Sequence, residues 1–311
     1  MHMLPALTDA AAAVPGLQVD WVVEEAFAAI PALHPAVRRV IPVAIRRWRR
    51  SLTKSATWQE MMDFRRALRE DRYDLVLDSQ GLVKSALLAV QALGPRAGLA
   101  ATSAREPLAS RFYDRHYAAP RALHAIQRNR ALTAQALGYA LGDPAAVQYG
   151  VPAGTLHAPL AATRTVLCLH GTARAEKEYP EADWAVVARG LVDAGYVPVF
   201  AAGNARERAR AERLVAACPG AQLLAAMPLA GLIPVVAAAR AVVGVDTGLM
   251  HLAAALRKPG VGLYPATDPA RFGAVAEPTA PPLVNLSAPA DLVAKAVVAR
   301  LRALLMDFPP A

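Results

Sequence analysis

The stretch VVGVDTGLMHLAAAL, residues 242 to 256, sets an Asp, a Thr and a Gly between an apolar run and an Ala/Leu-rich segment. The β-branched run ending at Gly244 and Val245 reads as a buried strand, and LMHLAAAL has the period and composition of a helix, so Asp246 to Gly248 form the turn between them. The first backbone N–H groups of such a helix lack intrahelical partners, and the positive end of its dipole lies there, so an anion is favoured at that point. Thr247 adds a hydroxyl, and His251 follows one turn into the helix. A second reading carries equal weight on this stretch alone: Asp246 only caps the helix, and His251 is an ordinary half-buried helix residue.

Two more strand ends carry polar groups of the same kind. VLCLH is followed by Gly171, Thr172 and Lys177, and VFAAG by Asn204 and, one turn on, Glu207. In a parallel sheet these ends share one edge, so a Lys, two Thr hydroxyls and a helix N-terminus converge on a pyrophosphate while a Glu takes a ribose hydroxyl. Taken singly, Lys177 is more simply a solvated loop residue and Glu207 part of an exposed charged helix; the joint placement carries the argument. GxGxxG, GxxxxGK[ST] and HExxH are absent, no pair of Asp residues two apart is available for a metal–diphosphate, and the seven His are scattered without ligand spacing. No metal site and no cofactor are expected. Toward the N-terminus, RRVIPVAIRRWRR packs six Arg into residues 38 to 50, followed by Arg65, Arg66 and TSAREPLASRFYDRHY. Arg forks bind carboxylate and phosphate bidentately, although a solvated basic face accounts for most of these residues equally well.

The elements that must position these groups alternate. LQVDWVVEE, RRVIPVA and YDLVLDSQ read as strands; AFAAIPAL, TWQEMMDFRRALRE, LVKSALLAVQAL and AIQRNRALTAQALGYAL read as helices. A stretch from about 149 to 162, rich in Pro, Gly and Ala, reads as a linker. The alternation then restarts with strands RTVLCLH, YVPVFAAG, AQLLAA and AVVGVD and helices EADWAVVARGLVDAG, ARERARAERLVAAC and LAGLIPVVAAA. The expected fold class is therefore α/β, with two Rossmann-like, doubly wound domains facing across a cleft. Their expected spans are 1–150 and 163–285, with a C-terminal helix in 286–311 for which the first domain is one candidate packing surface.

Bulk properties bound the function. A chain of 311 residues with 55% hydrophobic and 19% charged residues is long enough for two cores and is not disordered. No apolar run reaches the roughly 18 residues that span a bilayer; GLIPVVAAARAVVGVD is cut by Arg240. The start MHMLPALTDA lacks a basic n-region and carries Asp9, so secretion is not expected, and Cys168 and Cys218 are too few for a disulfide framework. A net charge of +9 implies acidic partners: phosphorylated substrates, anionic lipid or nucleic acid. No nucleic-acid module is recognisable, and specific nucleic-acid binding is not expected.

The segments LPALTDA, VDWVVEE, RVIPVAIRRWR, LDSQGLVKSAL, AREPLAS and VDTGLMHLAAAL, in this order along nearly the whole chain, resemble the lipopolysaccharide heptosyltransferase I branch of the ADP-heptose transferase family, which has the GT-B fold. The resemblance implies an inverting, metal-independent transfer of L-glycero-D-manno-heptose from ADP-heptose to the first Kdo of Kdo2-lipid A. It further implies a cytoplasmic protein, peripheral on the inner-membrane face of a Gram-negative bacterium. By motif match it assigns the donor to Thr172, Lys177, Glu207, Met227, Asp246, Thr247, Gly248 and His251, with Lys177 stabilising the departing ADP, and the anionic acceptor to Arg46, Arg49, Arg50 and Arg105. Family members open with an apolar strand and a Gly-rich loop ending in Gly-Asp, whose Asp is the presumed general base. The sequence as given starts after that point, so the expectation is a first domain without its first strand, an absent base and a crippled activity. Ala173 for a second Thr, Ala202 for an aromatic and YPATDP for YGPTDP are smaller departures. A non-catalytic binder of a nucleotide-sugar or anionic lipid is the alternative.

Overall fold

The computed structural model describes residues 1–152, 164–172 and 174–307, and the chain divides into two compact units. One comprises His2–Pro144 with Gln148–Gly150; the other comprises Val151 onward with Ala145–Val147.

The first unit opens with helix α1 (Leu4–Ala13), whose Pro5 suits a first turn and whose Leu4, Ala6, Leu7 and Ala10 are buried. Strand β1 (Val19–Glu24) pairs in parallel with β2 (Val37–Val43). The residues between them form two 3-10 turns, Glu25–Phe27 and Pro31–Leu33, rather than the helix expected over AFAAIPAL. Pro31 explains the difference, because it has no N–H to give to an α-helical ladder. Helices α2 (Ile45–Trp48) and α3 (Ser55–Leu68) follow, then β3 (Val76–Asp78), α4 (Val83–Ala89), β4 (Arg96–Leu99), β5 (Arg115–Tyr117) and α5 (Ala125–Leu137). α5 stops at Gly138, which takes the left-handed conformation at φ 77°. The strands form two parallel sheets, β1–β2 and β3–β4–β5.

β4 and β5 escaped the sequence reading because both are very short and β4 contains a glycine. Gly98 is required there, since a Cβ would strike the ring of Tyr113. The expected linker also begins later than proposed. Tyr149 is fully buried, and Gly150, at φ 66°, lies against His34 and Thr8, which are hydrogen-bonded to each other at 3.1 Å. Residues 153–162 of that stretch lie outside the described residues, as does Ala173.

The second unit holds β6 (Thr165–Leu169), a 3-10 turn at Ala175–Lys177, α6 (Glu181–Asp193), β7 (Val197–Phe200), α7 (Ala205–Ala216), β8 (Gln222–Leu223) and α8 (Leu229–Ala238). It continues with β9 (Ala241–Val245), α9 (Gly248–Ala255), β10 (Gly260–Leu263), α10 (Pro269–Phe272), β11 (Leu283–Leu286) and α11 (Ala294–Asp307). All six strands are parallel in the order β11–β10–β9–β6–β7–β8. The chain runs outward from β6 to β8, returns to the other side of β6 and runs outward again, so the topological switch point lies between β6 and β9, where ligands of open α/β sheets bind. β10 and β11 were not expected. Trp184, Val187 and Leu191 of α6 and Val297, Leu301, Leu304 and Leu305 of α11 share one core with the strands. Each such fully buried side chain contributes roughly 1.5–3 kcal/mol. The first domain was a candidate surface for the C-terminal helix; α11 packs on α6 of its own unit because its apolar stripe meets that of α6.

Candidate functional site

β9 is buried along its whole length, and its register with β6 sets Gly244 opposite Leu169. The residues that leave these two strands therefore emerge side by side. Thr172 Oγ1 donates to the Asp246 carbonyl at 3.2 Å. Lys177 Nζ donates to Asp246 Oδ2 at 2.6 Å, with the two side chains 25% and 13% exposed. The same oxygen accepts from Thr267 Oγ1 at 2.8 Å.

Asp246 is thus an ion-pair partner and not the cap of α9. The N-cap is Thr247, in an extended conformation and with no side-chain capping bond. Gly248 opens the helix, and the space where its side chain would stand is empty to 4 Å. α9 therefore begins without a side-chain cap, beside a held ammonium group, an arrangement that suits an anion. His251 is buried one turn further on.

The loop that carries Thr172 and Lys177 is fixed at both ends. Arg210 of α7, itself buried, donates to the His170 carbonyl at 3.2 Å and to the Tyr179 carbonyl, and pairs with Glu178 at 3.4 Å. One guanidinium therefore pins the residues on either side of the loop. His170 is fully buried with its ring edge-on to Phe200; burial, and then the nearby Arg210 charge, lower its pKa to about 4.

Glu207 reaches the same edge from α7. Asn204 caps that helix by accepting from Glu207 N at 3.0 Å, and Glu207 Oε2 accepts from Gly203 N at 2.7 Å. The carboxylate lies across Gly171, where a Cβ would come within 2.5 Å of Glu207 Cδ. Met227 leaves β8 on the same edge, and its sulfur rests 3.3 Å from the Cβ position of Gly231 in α8. Thr172, Lys177 and Asp246 are joined by direct bonds, Glu207 stands over Gly171, and Met227 lies against Gly231 of α8. Thr267 is the member that the sequence reading missed. Its signal is the Thr-Asp-Pro sequence after β10: Asp268 caps α10, accepting from Ala270 N at 2.9 Å, and Pro269 starts that helix, which fixes Thr267 just before it.

In the first unit the six clustered Arg separate into two groups. Arg38 and Arg39 converge on Asp20, whose side chain is 2% exposed and which also accepts from Tyr73 at 2.9 Å. Despite the opposing effect of burial, these hydrogen bonds hold the Asp20 carboxyl at about 2. Arg38 and Arg39 also pair with Asp71 and Glu70, and Arg47 with Glu25 and Glu60. Arg46, Arg49, Arg50 and Arg105 are exposed, and among the described residues none has a carboxylate partner. Arg46 lies over the Phe27 ring at 5.8 Å. Asp9 is held by the buried Arg130 at 2.6 Å, so neither it nor Asp20 has a carboxylate free for proton transfer. Asp78 of the LDSQG segment is likewise occupied, accepting from Tyr113 at 2.6 Å, Ser85 at 2.7 Å and Gln80 N at 2.8 Å.

Comparison with known proteins places this geometry. The profile of glycosyltransferase family 9 (heptosyltransferase) matches residues 61–297. Lipopolysaccharide heptosyltransferase 1 of Pseudomonas aeruginosa is 49% identical over 276 residues, covering 88% of this chain and 77% of the relative. The protein of the same name from Escherichia coli K12 is 44% identical over 278 residues, covering 88% and 86%. Among solved structures, E. coli heptosyltransferase WaaC with ADP superposes with a TM-score of 0.85 at 39% identity, covering 98% of this chain and 95% of that one. Its two α/β units, its parallel sheets and these likenesses together show that the chain is a glycosyltransferase of the GT-B class and belongs to glycosyltransferase family 9, the heptosyltransferases.

Proposed function

We propose that this protein transfers L-glycero-D-manno-heptose from ADP-heptose to the first Kdo of Kdo2-lipid A, with inversion at the anomeric carbon and without a metal ion. The observation that carries the reading is the Lys177–Asp246–Thr267 constellation at the switch point, beside the open N-terminus of α9, in a chain similar to a heptosyltransferase solved with ADP.

In this reading the diphosphate sits against the amides of Thr247 and Gly248, with the Lys177 ammonium turning from Asp246 toward it. Thr172 and His251 flank the same turn, Glu207 takes the ribose hydroxyls across Gly171, and Met227 borders the adenine. As the glycosidic bond breaks, ADP gains negative charge, and a fixed ammonium with preorganised backbone dipoles stabilises that charge in place of a cation. Arg46, Arg49, Arg50 and Arg105 take the acceptor's carboxylates and phosphates, for which unpaired guanidinium forks are suited. No helix among the described residues is long and apolar enough to cross a membrane. A lipid-borne acceptor therefore implies peripheral contact with the cytoplasmic face of the inner membrane.

The test is ADP-heptose binding by calorimetry together with ADP release by the purified chain given Kdo2-lipid A, with and without EDTA, the release expected to be slow because Asp9, Asp20 and Asp78 are all engaged by other groups. Turnover that survives EDTA and yields a heptosylated lipid supports the reading. Turnover abolished by EDTA refutes the metal-free mechanism, and absence of ADP binding refutes the donor site.

A further inference from the structure

The outer face of α3 is built the opposite way from an ordinary surface helix. Trp58 and Met62 stand one turn apart and are 53% and 54% exposed, and Leu52, in the preceding turn, is 49% exposed. The Trp58 indole Nε1 donates to the Leu52 carbonyl at 2.8 Å, so the two residues form one apolar corner. Arg65 and Arg69 continue the same stripe, at seven and eleven residues from Trp58, and Lys54 flanks its start; all three are exposed.

The acids nearby are already neutralised. Asp63 pairs with Arg66, Glu60 with Arg47, and Glu70 and Asp71 with Arg39 and Arg38. Lys54, Arg65 and Arg69 thus leave the stripe net positive around three apolar side chains. The indole N–H, the one polar group of the apolar corner, has an internal partner, so the ring can enter an apolar phase without stranding a donor.

We infer that the Leu52–Trp58–Met62 corner, with Lys54, Arg65 and Arg69, docks the protein on an anionic phospholipid bilayer. Trp and Met enter the glycerol and upper acyl region while the long cationic side chains remain at the phosphates, the usual distribution of such residues at a membrane interface. Nucleic acid fits less well, because Leu52 and Met62 offer aliphatic area that a phosphodiester chain does not match. The inference rests on the reading that the acceptor is a membrane lipid, and it gives that reading a specific surface outside the proposed donor and acceptor residues.

The experiment is co-sedimentation of the full chain with vesicles of phosphatidylglycerol and phosphatidylcholine, and with phosphatidylcholine alone, alongside tryptophan fluorescence. Of the four indoles Trp58 alone is exposed, Trp21 being half-buried and Trp48 and Trp184 buried, so a blue shift is assigned to Trp58 by its loss in Trp58→Phe. Expected are binding to the anionic vesicles only, weakened by salt, and a blue shift that Trp58→Phe removes. Arg65→Gln with Arg69→Gln should weaken binding about 25-fold, each charge near such a surface being worth about fivefold. Trp58→Ser with Met62→Ser should weaken it by about tenfold or more. Wild-type vesicle binding by both double variants, or equal binding to neutral vesicles, overturns the inference. So does displacement from the vesicles by a single-stranded oligonucleotide that quenches Trp58, which would assign the surface to nucleic acid. ADP binding by calorimetry and transfer to a detergent-dispersed acceptor are expected to be unchanged in Trp58→Phe and in both double variants. Their loss in the wild-type chain would refute the proposed function while leaving the vesicle result to stand by itself.

Discussion

Replacing Lys177 with Ala tests the donor site most directly. In the structure its ammonium shares Asp246 Oδ2 with the Thr267 hydroxyl, so the substitution removes one of two donors from a carboxylate that is 13% exposed. Losing one partner of a fully buried pair costs about 3–5 kcal/mol; here, with Lys177 a quarter exposed, solvent screening reduces the stability cost to about 1–2 kcal/mol. The effect on ADP is larger. A lost charged hydrogen bond accounts for about 1.5–3 kcal/mol, or roughly 10- to 150-fold in Kd. The unmasked Asp246 carboxylate adds repulsion, up to roughly 3 kcal/mol for unit charges about 6 Å apart at an effective dielectric of 20. The double variant Lys177→Ala, Asp246→Asn therefore binds ADP more tightly than Lys177→Ala alone, by about five- to tenfold after screening. Isothermal titration with ADP at low and high salt measures both steps. An ADP affinity within twofold of wild type for Lys177→Ala removes the lysine from the site. No recovery in the double variant refutes the argument that Lys177 masks Asp246.

Thr267→Val is expected to weaken ADP binding about three- to tenfold by taking the second donor from Asp246, with Thr267→Ser restoring it; equal affinities for Val and Ser would mean the hydroxyl is irrelevant. Arg46→Ala with Arg49→Ala should raise the KM for Kdo2-lipid A about tenfold or more and leave that for ADP-heptose within twofold; equal effects on both substrates would make these residues structural. His170 predicts an acid-side loss of stability. Its folded pKa of about 4 lies below the ordinary value of 6.5, so the unfolded chain takes up a proton that the native chain refuses. Stability is therefore unaffected above pH 6.5, declines between 6.5 and 4, and levels off below, by roughly 3 kcal/mol at most. Burial lowers the pKa of His34 too, so the measurement is the difference in denaturation slope between wild type and His170→Gln from pH 6.5 to 5; parallel slopes refute the assignment.

The strand–turn–helix units of the second half were legible because their signals are local. A β-branched run, a small polar turn and an Ala/Leu helix occupy consecutive residues at 242–256, and each strand end named its own polar groups. What a local pattern cannot report is pairing across the fold. Which Arg of the 38–50 cluster is structural depends on Asp20, Glu25, Glu60, Glu70 and Asp71, acids more than ten residues away from their partners; Glu25, expected to end a strand, instead opens a 3-10 turn. Thr267 stayed hidden because its strand, GVGL, is half glycine and has no β-branched run to announce it. Its glycines answer to tertiary neighbours: a Cβ at Gly260 would meet the Val242 carbonyl, and one at Gly262 the Tyr264 ring.

Arg210 shows how a site can depend on a residue that sequence assigns to solvent. ARERARAERLVA reads as a charged surface helix, and Arg206, Arg208 and Arg213 do lie on its outer side, paired with Glu178, Glu212 and Glu181. Arg210 shares the inner stripe with Ala211 and Leu214 and is buried. Its planar fork gives two donors in a fixed relation, which one ammonium cannot reproduce, and it spends them on the carbonyls that precede and follow the Thr172–Lys177 loop. The ordering cost of that loop is thus met on folding rather than on donor binding. Lys177 is consequently held on Asp246; in the proposed donor site, the diphosphate would need only to draw the ammonium away from a carboxylate that Thr267 also holds. Because the charge on departing ADP grows as the bond to the sugar breaks, that proposed exchange would favour the transition state over the bound substrate, which is the condition for the lysine to raise kcat and not merely tighten binding.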